Sequence, residues 1–244
     1  MPVTSVRDIV VHGDDLAVAT YGRGFWVLDQ MTALRQIAAK GKEIESAKAY
    51  LFTPGEAWSI HNGSQNGTPL PHEEPQEVNP PAGVLAYYWL KSAPTGALKV
   101  DLVDSTGKVA VCEASDTPIK PVDTEAINVQ AIWEQPVPPP SATAGMHRIA
   151  LNIATQQGFG GGGRRSATPR PPVDACHPAG TPAPRTEDNP QGRGRGTAGL
   201  QPGEYTVKLT VDGQTYTQSV TIKADPRNLP SGAYASPESE EDNL

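Results

Sequence analysis

The chain of 244 residues is 37% hydrophobic and 6% aromatic, and its 24 Gly and 25 Pro make 49 residues, about a fifth of the total against a usual share of roughly 12%. That composition excludes one large compact domain and points to small cores joined by irregular stretches. The 27 acidic against 20 basic residues give a formal charge of -7, the wrong sign for a surface that neutralises phosphates, which argues against nucleic acid as a partner.

In chain order, residues 1–30 read as a small meander. Val6–Val11, Leu16–Thr20 and Phe25–Leu28 are rich in β-formers, with turns at His12-Gly13-Asp14-Asp15 and Tyr21-Gly22-Arg23-Gly24. Ordering each residue costs about 1 to 2 kcal/mol, while each buried apolar side chain returns about 2 kcal/mol. The meander is therefore expected not to fold alone and to pack against something else. Residues 31–46 hold a short helix, Met31–Ala39, in which Leu34 and Ile37 lie three apart and Gly41 serves as the stop.

Residues 47–225 carry the remaining strands. Ala49–Phe52 and Ala57–Ile60 flank Pro54-Gly55. The run Val84-Leu85-Ala86-Tyr87-Tyr88-Trp89-Leu90 within Gly83–Lys91 is apolar on both faces, as a central strand covered on both sides requires. Leu98, Val100 and Leu102 alternate with Lys99 and Asp101, and the turn Asp104–Gly107 leads into Val109–Cys112. Met146–Ile153 is a further strand. Tyr205, Val207, Leu209 and Val211 meet Tyr216, Val220 and Ile222 across Asp212-Gly213, the clearest hairpin in the chain. Residues 158–199 are a low-complexity Gly/Pro/Arg stretch read as a disordered insertion without a core, and 226–244 form an acidic tail. Many strands with one short helix make an all-β protein. For 47–225 the expectation is an immunoglobulin-like or fibronectin-like sandwich.

The segment Tyr21–Asp29, preceded by Leu16–Thr20, resembles the strand and turn that end the final blade of sortilin-type and sialidase-like β-propellers. In bacterial proteins of that group, often named as glycosyl hydrolases, a short helix and a β-sandwich follow the last blade. Asn79–Lys91, Gly145–Asn152 and Leu200–Thr210 are similar to that following region. Two departures stand out: Ala150, Leu151 and Asn152 replace a usual Trp and acidic residue, and no Ser-x-Asp-x-Gly-x-Thr-Trp blade signature or second blade occurs. The resemblance implies a C-terminal piece of a larger exported protein, periplasmic or extracellular. Its partners would be the preceding propeller blades of the parent chain, with polysaccharide or protein as further partners, and hydrolase chemistry would lie in other blades.

Catalytic signals are weak. Glycoside hydrolysis needs two facing carboxyl groups, but Asp14 with Asp15 and Asp101 with Asp104 read as turn or surface charge. No strained Gly-x-Ser-x-Gly elbow occurs, and His12, His61, His72, His147 and His177 lack metal-ligand spacing, so neither a catalytic residue nor a metal or other cofactor is expected. The binding candidates are Arg23, in its Gly-Arg-Gly turn, and Trp58 and Trp133 as sugar-stacking rings. Cys112 follows an apolar run and Cys176 lies among prolines, so the two read as unrelated thiols. The sequence has no apolar run near the roughly 20 residues of a membrane span, and Met1–Thr20 lacks the features of a signal peptide.

Overall fold

The computed structural model describes residues 1–60, 83–119, 138–153, 173–179 and 200–226. In order these give β1 (Val6–His12), β2 (Asp15–Thr20), β3 (Phe25–Leu28), α1 (Thr32–Ser46), β4 (Ala49–Leu51), β5 (Ala57–Ser59), β6 (Val84–Leu90), β7 (Lys99–Val103), β8 (Val109–Ala114), β9 (Gly145–Leu151), β10 (Gly203–Val211) and β11 (Gln214–Ala224). The expectation of a mostly-β chain with a single helix holds for the described residues.

The strands form three sheets. β1-β2-β3 is an antiparallel meander, β5-β11-β10-β7-β8 is a five-stranded sheet, and β4-β6-β9 is a three-stranded sheet. The latter two share one core. Val84, Ala86, Tyr88 and Leu90 from β6 meet Val100 and Leu102 from β7, Val207 and Leu209 from β10, and Val220 and Ile222 from β11. The alternation of Leu98, Val100 and Leu102 thus faces inward as the period of two demands. At Pro54-Gly55 the chain crosses between sheets: β4 pairs antiparallel with β6, and β5 pairs parallel with β11.

The other side of β6 shows how a strand with two apolar faces is accommodated. Tyr87 and Trp89 point away from the main core and pack with Tyr50, Phe52, Ala33, Ile37 and Ile44 into a second cluster. The cover is therefore α1, which the sequence reading ended at Ala39. Gly41 does not stop it. A kink at Lys40 (φ -131°, ψ 23°) interrupts the helix one residue after the expected end, and a second helical segment carries α1 on to Ser46, burying Ile44 against Phe52.

Two turns show backbone chemistry deciding geometry. Asp212 and Gly213 both have positive φ, 46° and 77°, the two-residue turn whose twist matches that of β10 and β11. Gly83 has φ +133°, and a Cβ there would collide with the carbonyl oxygen of Leu151, so the start of β6 approaches β9 at a distance only glycine permits. In the β7–β8 hairpin the Asp104 carboxylate accepts hydrogen bonds from Thr106 N, Thr106 Oγ1 and Lys108 N. The Thr106 hydroxyl, then the Lys108 amide, holds this carboxyl below its ordinary value.

Two sequence expectations are corrected within 112–179. Cys112 and Cys176 are joined by a disulfide, 64 residues apart in sequence, with Cα atoms 5.8 Å apart. They are not unrelated thiols. Residues 173–179, inside the stretch read as lacking any core, hold a buried Asp174 and sit against the end of β8. Composition misleads here because a local hydrogen-bonded turn and one covalent bond substitute for apolar burial.

Candidate functional site

The meander exposes a run of large apolar side chains, Val6, Ile9, Val10, Val11, Phe25, Val27 and Leu28. Its register places Ile9, Val11, Leu16, Val18, Trp26 and Leu28 on one face and Val10, Ala17, Ala19, Phe25 and Val27 on the other. Both faces are open to solvent: Ile9 is 56% exposed on the first and Phe25 83% on the second. A sheet that faces water on one side ordinarily alternates apolar with polar residues. Here the first face is apolar along Ile9, Val11, Leu16, Val18, Trp26 and Leu28, and the second joins Asp8, His12 and Asp15 at its edges to Val10, Ala17, Ala19, Phe25 and Val27, so both faces are more apolar than a solvated sheet face requires.

The meander is nonetheless firmly attached. Met31 N donates to Asp14 O (2.6 Å), Gln30 N to Asp15 Oδ1 (2.9 Å), and the Arg35 guanidinium meets the Asp14 carboxylate at 3.0 Å while donating to Gly13 O at 2.9 Å. On its other side α1 is bound to the two-sheet unit by a reciprocal pair, Gln36 Nε2 to Thr53 O and Thr53 N to Gln36 Oε1, each 3.0 Å. Gln30 Nε2 also donates to Glu56 O at 3.3 Å. At this junction burial, then the neighbouring Asp15 charge, pushes the Asp29 carboxyl above its ordinary value, against its own backbone amide and Arg148.

The candidate residues disperse. Arg23 is exposed in the β2–β3 turn, where its carbonyl accepts Trp26 Nε1 at 2.9 Å. Trp58 lies on the five-stranded sheet, opposite Lys223 in the β5–β11 register, 39% exposed, with Lys223 Nζ 5.2 Å from its ring centroid and ion-paired to Glu56. The structure does not bring Arg23 and Trp58 onto one sheet. Trp133, His61, His72, the Arg164-Arg165 pair and the Gly192–Gly196 run lie outside the described residues.

The acidic pairs weighed for hydrolysis have structural work. Asp14 and Asp15 hold the meander to α1, and Asp104 caps a turn. Asp101 is different. It is 1% exposed at the centre of β7, its Oδ2 3.2 Å from Lys99 Nζ, and its Oδ1 has no hydrogen-bond partner. The register sets Asp101 directly opposite Cys112, so both side chains leave the outer face of the five-stranded sheet. There Cys176 is bonded to Cys112. Asp174 Oδ1 accepts from Cys176 N (2.9 Å), His177 N (2.7 Å) and His177 Nδ1 (3.0 Å), and its Oδ2 accepts from Thr117 Oγ1 (3.0 Å). Burial pushes this carboxyl up, and these hydrogen bonds, led by the His177 amide, outweigh it and hold it below its ordinary value. Among the described residues no group of three or more His, Cys, Asp or Glu converges to hold a metal ion.

Sequence reasoning missed the disulfide and a tyrosine latch. Tyr205, near the start of β10, donates its hydroxyl to Gln201 O, four residues upstream, at 2.8 Å. The Gln201-Pro202-Gly203-Glu204-Tyr205 run carried that signal, as Asp174-Ala175-Cys176-His177 carried the turn. No known protein family, curated protein or solved structure matches the chain.

Proposed function

We propose that this chain is the non-catalytic C-terminal structural and interaction module of a larger exported β-propeller protein of glycosyl-hydrolase-like type. In this reading β1–β3 belong to a blade, α1 is a rigid connector, and β4–β11 form an immunoglobulin- or fibronectin-like sandwich. The observation that carries it is the meander with one apolar and one largely apolar face, both uncovered. A dimer about a two-fold axis covers one such face, whereas a propeller blade lies between two neighbouring sheets. The hydrogen bonds of Gln36 with Thr53 and of Arg35 with the β1–β2 turn then hold the sandwich in a fixed orientation to that blade.

The sandwich assignment is supported by the division into three and five strands, by a first strand that switches sheets between β4 and β5, and by the Tyr205 hydroxyl bonded back to Gln201. The sequence departs from antibody-type domains in having no Trp on β7, and its disulfide leaves β8 rather than joining β6 to β10. A disulfide accords with an oxidising compartment outside the cytoplasm, and no helix among the described residues is long and apolar enough to cross a membrane.

Two results test the proposal. Blotting the source cells with an antibody to the β10–β11 hairpin should reveal a polypeptide several times larger than 25.8 kDa. The isolated chain should turn over no glycan. A native species of 25.8 kDa, or turnover by the chain alone, overturns it.

Trp58 favours a second reading, a carbohydrate-binding surface, since it is the outward-facing indole of the five-stranded sheet. Titration with soluble glucans, xyloglucan and sialosides while following tryptophan emission tests it. A shift that is lost in Trp58→Ala supports binding there, and an unchanged spectrum at millimolar ligand removes it.

A further inference from the structure

Asp101 poses a question that neither reading answers: a carboxylate at the centre of an outer sheet face is 1% exposed although half of its hydrogen-bonding capacity is unused. Its register partner Cys112 identifies one cover. Cys176 is covalently fixed to Cys112 on that face, and Val173–Ala179 is carried there with it.

The segment is not part of the apolar packing: it contributes no residue to either core, and Val173 is 64% exposed. Of the four hydrogen bonds that Asp174 accepts from Cys176, His177 and Thr117, three close within the segment. They shape it without attaching it. Thr117 Oγ1 to Asp174 Oδ2 (3.0 Å) and Ala175 N to Asp116 Oδ1 (3.1 Å) cross to the stretch after β8. Each such bond contributes little beside the conformational freedom lost in ordering the segment, whereas the disulfide is a covalent attachment to β8. Conversely, the core of the two facing sheets is complete without it.

We infer that Cys112–Cys176 is a redox latch: oxidation fastens residues 173–179 over the outer face at Asp101, and reduction releases them while the two-sheet core stays folded. In the opening step a small dithiol supplies two electrons and two protons. The Sγ–Sγ bond breaks, Cys112 and Cys176 leave as thiols, and the dithiol closes to its own disulfide. A chain kept among thiol reductants therefore carries the segment undocked, and docking follows transfer to an oxidising compartment. This inference does not rest on the propeller reading.

Carboxyl footprinting of the full 244-residue chain tests it, using a water-soluble carbodiimide and glycine ethyl ester, with sites quantified by mass spectrometry before and after dithiothreitol. Asp8, on the exposed strand β1, is the reactivity standard, and Asp225, 4% exposed, reports on the fold. Reduction should raise modification of Asp101 by roughly an order of magnitude while Asp225 stays protected. The double variant Cys112→Ser, Cys176→Ser should give the reduced pattern without dithiol. If Asp101 remains protected in the reduced chain, the segment is not held by the latch. If Asp101 and Asp225 become reactive together, the disulfide is a staple for the whole fold. Either result overturns the inference.

Discussion

At the scale of single residues, the carboxylates divide by the direction in which the fold moves them. Asp104, Asp174 and Asp212 all lie below their ordinary value; for Asp212 the Thr95 hydroxyl, then the Thr95 amide, is the cause. A carboxyl whose pKa is lowered by folding contributes stability above its unfolded value of about 3.9, and loses it as pH falls through the lower folded value. The chain should therefore lose stability on the acid side, with a shallower acid limb in Asp212→Asn, followed by thermal unfolding between pH 2 and 6. Asp29 has the opposite sign. Its raised value favours the protonated form in the fold, so stability from this group falls as pH rises through the folded pKa. Asp29→Asn should raise Tm at pH 7 and leave it nearly unchanged at low pH. Removing the Tyr205 hydroxyl with Tyr205→Phe should cost about 1 kcal/mol in urea unfolding, since Gln201 O loses its donor. The local pairings, Asp104 with Thr106, Asp174 with His177 and Tyr205 with Gln201, are legible in spacing, whereas Asp212 with Thr95 and Asp174 with Thr117 are not, because they depend on how the sheets bring the loops together.

At the scale of elements, periodicity placed most of the strands, because alternating apolar residues have one register that buries them. β3, β6 and the β10–β11 hairpin fall where the patterns of Phe25–Leu28, Val84–Leu90 and Tyr205–Ile222 put them. α1 was harder to bound because Gly41 is an ambiguous mark: glycine ends a helix when it takes a left-handed conformation, and here it is passed through. The burial of Ile44 decided the outcome, and that burial depends on Tyr87 and Trp89, which are remote in sequence. Gly41→Ala should thus stabilise the chain by about 0.5 to 1 kcal/mol, since a methyl group meets nothing within 4 Å. Gly83→Ala should cost at least about 2 kcal/mol, because both its φ and the Leu151 carbonyl oppose a side chain. Urea unfolding of the two variants measures this difference in sign.

At the scale of the whole molecule, the five- and three-stranded sheets bury their own core, while the meander exposes both of its faces. Composition led to the expectation that the meander packs against something else, whereas the described structure leaves both faces open, and its anchoring to α1 was not legible. That depends on Asp14, Asp15 and Arg35, whose turn chemistry reads as ordinary surface charge. The central claim is that the meander needs partners the described chain does not supply. Amide hydrogen exchange of the 244-residue chain, resolved by mass spectrometry into peptides, addresses it most directly. We expect amides of Val6–Leu28 to exchange far faster than those of β6, β7 and β10, since uncovered strands open locally while the packed sheets open only with the global fold. Protection of Val6–Leu28 equal to that of β6, β7 and β10 would contradict the claim, because the meander would then be stable without any further sheet against it.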